Sequence, residues 1–98
     1  MRKSEIVDKI SGATGIEKVV VKNVLDIFMK VVKNSLSKGE NVYLRTFGTF
    51  KLVKRAKKVG RIIKKNKPII IPEHYIPYFK PSKEFKKMVK NVKNKQKK

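Results

Sequence analysis

The sequence predicts an α+β fold in which two helices come first, antiparallel strands follow and a third helix closes the chain. Two observations lead to this prediction. Apolar residues recur every three or four positions as far as Gly39, which is typical of one face of a helix, and residues 41–59 then alternate between apolar and polar, which is typical of strands. With 98 residues, the chain has the length of one domain.

The N-terminal part predicts one short and one long helix. Residues 3–13 place their apolar side chains on one side of a short helix that ends at glycine. A second helix is predicted from about Glu17 to Lys38, and it carries a wide apolar stripe. Because a short first helix cannot cover that stripe, we expect residues 1–39 to pack against a second subunit, most simply in a two-fold homodimer.

The middle of the chain predicts strands. Within residues 41–59 we expect two antiparallel strands joined by a tight connection at Gly48. A further apolar run, Ile69–Ile71, lies between two prolines, which confine a strand to an edge or a two-stranded ribbon. We therefore expect a long β-ribbon at residues 53–76, and apolar spacing predicts the last helix near residues 82–92.

The composition excludes several classes of function. The chain has no cysteine and one histidine, His74, so it offers no disulfide, no zinc finger, no thiol nucleophile and no multi-histidine metal site. We therefore expect no enzyme activity, no metal, no other cofactor and no small-molecule substrate. Val, Ile, Leu and Phe make up 31 of the 98 residues, which is above the content of disordered chains.

Neither a membrane span nor a secretory signal is expected. No stretch approaches the roughly 18 uncharged apolar residues that cross a bilayer, and charged residues interrupt the first apolar run at Asp8 and Lys9. The sequence thus predicts a cytoplasmic protein without a membrane partner.

Positive charge dominates the chain and is concentrated in its second half. There are 27 Lys and Arg against 7 Asp and Glu, which gives a net charge of +20. Residues 1–50 hold 9 basic and 5 acidic side chains, whereas residues 51–98 hold 18 basic and 2 acidic ones. Apolar residues interleave with the cations of Lys51–Lys67, unlike in a solvated tail, while residues 91–98 have the composition of a Lys-rich tail. A folded protein this basic is expected to bind a polyanion.

The order of these features resembles the HU and integration host factor family of bacterial DNA-binding proteins. The resemblance is carried by Phe47-Gly48-Thr49-Phe50, by a basic arm that opens with Gly60-Arg61, and by Pro77-x-Phe79-Lys80-x-x-Lys83, and it covers residues 1–90 without a gap. It implies an intertwined dimer, with a three-stranded antiparallel sheet and a long protruding β-ribbon arm in each subunit. It also implies that the dimer binds and bends double-stranded DNA through the minor groove, largely independently of sequence, and organises the nucleoid.

The resemblance implies DNA-binding roles for basic residues on the arm and on the saddle beneath it. The arm residues carried over from the family are Arg55, Lys58 and Arg61, and the basic run adds Lys64, Lys65 and Lys67 as further candidates. The saddle residues are Lys80 and Lys83, with Lys3 and Lys86 as flanking candidates. Three phenylalanines, Phe47, Phe50 and Phe79, match core positions of the family and are expected to be structural.

The tip of the arm departs from the family pattern. Where the family has Gly-Arg-Asn-Pro-x-Thr-Gly, this chain has Gly60-Arg61-Ile62-Ile63-Lys64-Lys65-Asn66. The family's proline wedges between base pairs, and Ile63 occupies its position. Isoleucine also serves as an apolar wedge in minor-groove proteins, so Ile63 is the expected wedge, with Ile62 as the alternative. The other interpretation is that both side chains only pack across the ribbon.

Other partners stay open at this point. A basic RNA-binding or ribosomal protein is the main alternative on composition, although no aromatic residue lies between Lys51 and Glu73 on which a base could stack. We expect Tyr75 and Tyr78 to pack at the base of the ribbon. Within the family, the alternatives are a sequence-preferring bender like integration host factor and a heterodimer with a paralogue.

Overall fold

The structure is a computed structural model that describes residues 1–62 and 67–92. Its elements in chain order are α1 (Lys3–Thr14), α2 (Lys18–Ser37), β1 (Val42–Leu44), β2 (Gly48–Arg55), β3 (Lys58–Ile62), β4 (Lys67–Ile71), β5 (His74–Pro81) and α3 (Lys83–Val89). This order confirms the α+β class and the sequence of helices and strands. The last helix ends at Val89, three residues earlier than expected.

The two N-terminal helices begin and end close to the expected positions. At the start of α1, the backbone N–H of Arg2 donates to the Glu5 carboxylate at 2.7 Å. The helix ends at Gly15, which adopts φ 78° and donates its N–H to the carbonyl of Ser11. Helix α2 follows with 20 residues, which makes it about 30 Å long.

The strands form two separate antiparallel units. The first is a three-stranded sheet in the order β1-β2-β5, and the second is a two-stranded ribbon of β3 and β4. Two residues on each chain segment separate the units, Ala56-Lys57 on the way out and Pro72-Glu73 on the way back. The radius of gyration is 18.7 Å, against about 13 Å for a compact chain of this length. The chain is therefore elongated, with a longest dimension of 57 Å.

An aromatic cluster holds the sheet to the C-terminal helix. The Phe79 ring lies 5.0 Å from Phe50 and 5.1 Å from Phe47, between ring centroids. Phe85 of α3 completes the cluster by stacking on Phe47 at 5.5 Å. As the pattern predicted, these phenylalanines are structural. These ring contacts are made within one chain.

The described residues bury little apolar surface besides this cluster. The buried apolar side chains are Val7, Val21, Val32 and Leu36, and no large side chain in the described part of the chain is below 2% exposure. Along α2 the stripe stays open, with Val24 63% and Phe28 41% exposed. A single chain therefore leaves most of the stripe in water, which is unfavourable for apolar surface.

The connection between β1 and β2 differs from the expectation. The turn consists of Arg45, Thr46 and Phe47, and Gly48 is instead the first residue of β2, opposite Leu44. Thr46 takes the left-handed conformation, φ 64°, which a β-branched residue rarely adopts. The turn was expected at Gly48 because glycine tolerates positive φ angles. In the structure Gly48 instead allows close packing between β2 and β5.

Gly48 allows β5 to approach β2 closely. A Cβ at this position would lie 2.6 Å from the carbonyl oxygen of Lys80 and 2.6 Å from the ring of Phe79. Both neighbours are held, one by the strand backbone and the other by the aromatic cluster. Neither can move without disturbing the β2–β5 pairing.

We predict that Gly48→Ala destabilises the protein by about 1–3 kcal/mol, because the methyl group overpacks this contact. Gly12→Ala is the matched control, since nothing lies within 4 Å of a Cβ there and the residue is inside α1. That variant should be neutral or gain about 0.5–1 kcal/mol. Urea denaturation followed by circular dichroism measures both, and equal stability of the two variants would contradict the packing role of Gly48.

Candidate nucleic-acid interface

A basic groove lies between the β1–β2 turn and the start of α3. It has a volume of about 620 Å³, and four cationic side chains line it: Arg45, Lys80, Lys83 and Lys86. Three of these were predicted from the sequence. Arg45 was missed, because the alternation of residues 41–59 assigned it to a strand, whereas it lies in the turn after β1 and only the fold brings it next to α3. The groove concentrates positive charge that suits phosphate groups.

Ser82 fixes the two walls of this groove to each other. Its hydroxyl accepts a hydrogen bond from the N–H of Phe85 at 3.1 Å, which caps α3, and donates to the carbonyl of Thr46 at 2.8 Å. Its own N–H donates to the carbonyl of Phe47 at 3.0 Å. These bonds hold the start of α3 against the turn. Lys83 and Lys86, three positions apart, therefore lie on neighbouring positions of the helix surface beside Arg45.

The three-stranded sheet has an outer face that α2 does not cover. Strand alternation and register place the outer-face residues in four rows. These rows are Tyr43–Thr49–Lys80, Lys51–Tyr78, Val53–Ile76 and Arg55–His74. The rows contain three Lys or Arg and no carboxylate. Lys51 and Tyr78 were missed as site residues, although the alternation of Lys51 with Phe50 and Leu52 was a signal for this face.

The arm continues from the outer sheet face. Arg55 ends β2 and is exposed, and Lys58 begins β3, opposite Ile71. The backbone of β3 includes Arg61 and Ile62, and that of β4 begins at Lys67. The expected tip residues Ile63, Lys64 and Lys65 lie outside the described residues.

The acidic residue at the base of the arm is paired on the other side of the sheet. Glu73 forms an ion pair with Lys54 at 3.4 Å. Lys54 is opposite Tyr75 and alternates with Val53 and Arg55, so it belongs to the inner side. Glu73 therefore does not pair with the cations of the outer face in this structure.

Lys3 does not line the groove. Its ammonium group lies 2.6 Å from Oδ1 of Asp26, and Lys22 lies 3.0 Å from Oδ2 of the same carboxylate. The hydrogen bond from Lys3, followed by that from Lys22, lowers the pKa of Asp26 below its ordinary value. Lys3 thus ties α1 to α2, and its expected role in DNA binding stays a prediction.

The aromatic residues after the arm do not pack as expected. Tyr75 is 63% exposed and Tyr78 is 49% exposed, so the prediction that they pack at the ribbon base is wrong for this chain. The reason is their place in the sheet: Tyr78 is on the outer face, which α2 does not cover, and Tyr75 is at the end next to the arm. His74 is exposed as expected, with Nδ1 2.9 Å from the carbonyl oxygen of Pro72.

Other classes of site find no support in the described part of the chain. Across residues 1–62 and 67–92, no three or more His, Asp and Glu side chains come together where they could hold a metal ion. Within the same residues, none of the helices combines the length and the apolar character that crossing a membrane requires.

An α+β fold with a basic β-ribbon, together with a cationic sheet face whose rows hold no carboxylate, is typical of architectural DNA-binding proteins. The family model described as bacterial DNA-binding protein matches residues 1–90. The chain belongs to this family, which includes HU and the integration host factor subunits. It is a DNA-binding family and not an enzyme family.

Relatives and solved structures agree with this assignment. The chain is 39% identical to DNA-binding protein HU of Thermotoga maritima, over 92% of this chain and 100% of the relative. It is 37% identical to the integration host factor subunit beta of Colwellia psychrerythraea, over 91% of this chain and 95% of the relative. An Anabaena HU–DNA cocrystal structure superposes with a TM-score of 0.88 and 30% identity, covering 93% of this chain and 99% of that one.

Proposed function

We propose that a homodimer of this protein binds and bends double-stranded DNA through the minor groove, with little sequence preference, and organises the nucleoid in the cytoplasm. One observation carries the proposal. The basic groove and the outer sheet face form a surface that leads into the arm and carries Lys and Arg side chains but no carboxylate on its four rows. The likeness to the Anabaena HU–DNA cocrystal structure supports DNA as the polyanion.

Phosphate contacts would supply most of the affinity. Each Lys or Arg that neutralises a phosphate releases condensed counterions, so the gain is largest at low salt. The chain has 23 Lys and 4 Arg. Lysine acts as a point charge, whereas the planar fork of arginine provides the commonest specific base contacts. Sequence preference should therefore come from the deformability of DNA rather than from base readout.

Dimerisation would cover the open stripe of α2. The stripe lines a groove formed only by apolar residues: Ile10, Ile16, Val20, Val21, Val24, Leu25 and Phe28. Only four apolar residues are buried in the described part of the chain, so one chain has a small core. A second copy that packs on the apolar groove would enlarge that core, which favours a homodimer. A dimer also carries two arms, which could contact the DNA from two sides.

Bending would come from the arm tips. The β3–β4 ribbon is antiparallel and narrow, and a two-stranded β-ribbon can read a DNA groove. The sequence places Ile62 and Ile63 where the ribbon turns. An apolar side chain that enters a base step unstacks the two base pairs and kinks the duplex. The bent duplex contacts more protein surface, and these contacts offset the free-energy cost of unstacking.

We expect the protein to sediment at twice the 11.4 kDa mass of one chain. Val24→Lys should weaken the dimer, since it would bring a charge into the apolar groove, while Val59→Lys is a control with similar exposure, 66% against 63%, on the ribbon. Sedimentation equilibrium measures both. A monomeric wild-type protein, or equal masses for the two variants, would contradict dimerisation through α2.

The affinity for duplex DNA should fall steeply as salt rises. We expect a linear plot of log affinity against log salt with a slope equivalent to several phosphates, measured by fluorescence anisotropy. Lys83→Gln and Lys86→Gln should each reduce the slope by about one phosphate. Lys18→Gln is the control, because Lys18 pairs with Asp8 at 3.2 Å and lies on α2. A flat salt response would remove nucleic acid as the partner.

Ile63→Ala should reduce both the bend angle and the preference for nicked over intact duplex, because a methyl group is too small to wedge a base step. Gel phasing and fluorescence energy transfer between duplex ends measure the bend. Val59→Ala on the same ribbon is the control. Wild-type values for Ile63→Ala would show that Ile63 is not the wedge, and a loss confined to Ile62→Ala would assign the wedge to Ile62.

A further inference from the structure

The outer sheet face carries an aromatic side chain between two lysines. Tyr78 of β5 is directly opposite Lys51 of β2, and Lys80 is two residues further along the same strand. These three side chains are on the same side of the sheet, because cross-strand partners share a face and residues two apart on a strand do too. Tyr78 is 49% exposed and Lys80 is exposed, so the phenol is accessible to a ligand.

The spacing of the two lysines suits a phosphate backbone. Lys51 and Lys80 are diagonal neighbours in the β2–β5 register, about 7–8 Å apart at their backbones. Phosphates of one DNA strand follow each other at about 3.4 Å along the helix axis, so two ammonium groups at this separation reach phosphates on one strand. Tyr78 lies between the two lysines and is then placed over the segment of sugar–phosphate backbone between these phosphates.

The chemistry of Tyr78 fits a sugar–phosphate unit better than a protein partner. Its ring offers an apolar surface to a deoxyribose, and its hydroxyl can donate a hydrogen bond to a phosphate oxygen. The four rows of this face contain no carboxylate, so the local charge favours an anion. In an intact duplex the bases are stacked on one another, so their faces are not available to the Tyr78 ring. The sugar–phosphate backbone is the part of the duplex that the sheet face can contact.

We propose that Tyr78, with Lys51 and Lys80, forms a contact site for the sugar–phosphate backbone of duplex DNA on the outer sheet face, between the basic groove and the arm. The proposal rests on the proposed function and adds to it a side chain that is not a cation. The ring positions the duplex on the sheet, and the two lysines neutralise the phosphates on either side.

The chain contains its own control for this test. Tyr75 is on the same strand and is exposed to a greater extent, 63% against 49%, but it is opposite Lys54 on the inner side of the sheet. A change at Tyr75 therefore alters the same residue type, in the same strand, on the side that does not face the proposed site.

The first experiment compares duplex affinities of the full-length protein. We expect Tyr78→Ala to weaken duplex binding about three- to tenfold, Tyr78→Phe to weaken it about twofold, and Tyr75→Ala to leave it unchanged. Lys51→Gln should lower the salt slope by about one phosphate. Equal affinities for the Tyr78→Ala and Tyr75→Ala variants, with the wild type binding duplex, would overturn the proposal while leaving the proposed function in place.

The second experiment needs no variant and so does not depend on folding. The wild-type protein is nitrated with tetranitromethane, with and without duplex DNA, and the nitrated tyrosines are located by peptide mass spectrometry. Duplex DNA should slow nitration at Tyr78 several-fold and leave Tyr75 unchanged. Equal protection of both tyrosines, or of neither while duplex is bound, would overturn the proposal.

A third comparison distinguishes the duplex backbone from unpaired bases. If Tyr78→Ala weakened binding of a single-stranded oligonucleotide and left duplex binding unchanged, Tyr78 would be a base-stacking residue and the proposal would be wrong. Failure of the wild type to bind duplex DNA at any salt concentration would instead remove the proposed function, so the two failures have separate readouts.

Discussion

The antiparallel pairing of β2 with β5 is the constraint on which the rest of this structure depends. Eight consecutive pairs run from Gly48 opposite Pro81 to Arg55 opposite His74. The pairing puts Phe50 beside Phe79 on the inner side and Lys51 beside Tyr78 on the outer side. A slip of one residue would move every one of these side chains to the wrong face. The close approach at Gly48 fixes the start of this register.

Both ends of this pairing lead to parts of the cationic surface. At one end, β5 runs directly into Ser82 and α3, so the hydrogen bond from Ser82 to Thr46 closes the basic groove. At the other end, β2 and β5 give way to the β3–β4 ribbon after Arg55 and before His74. Groove, sheet face and ribbon are therefore positioned by one pair of strands, which sets how the charges are spaced against a ligand.

The charge that serves binding also works against folding. A net charge of +20 on 98 residues repels itself in the compact state. The chain gains little from buried apolar surface to offset this, since four apolar side chains are buried in its described part. The ion pairs among α1 and α2, such as Lys3 with Asp26, neutralise cations near the helices, whereas the cations of the outer sheet face have no carboxylate on their rows. The ion-paired cations of α1 and α2 are thus distinct from the cations of the outer sheet face.

Local patterns were sufficient to predict the helices and the strands, because helix and strand periodicity are properties of neighbouring residues. They also predicted the structural role of the inner phenylalanines and most of the lysines of the candidate site. The family motif, also local, was sufficient to recognise the class. Only the tertiary structure placed Arg45 beside α3, gave Gly48 a packing role and left Tyr78 open between two lysines. These three outcomes depend on residues that are far apart along the chain, for which strand register and the approach of α3 decide the geometry. No pattern within one segment encodes such distances.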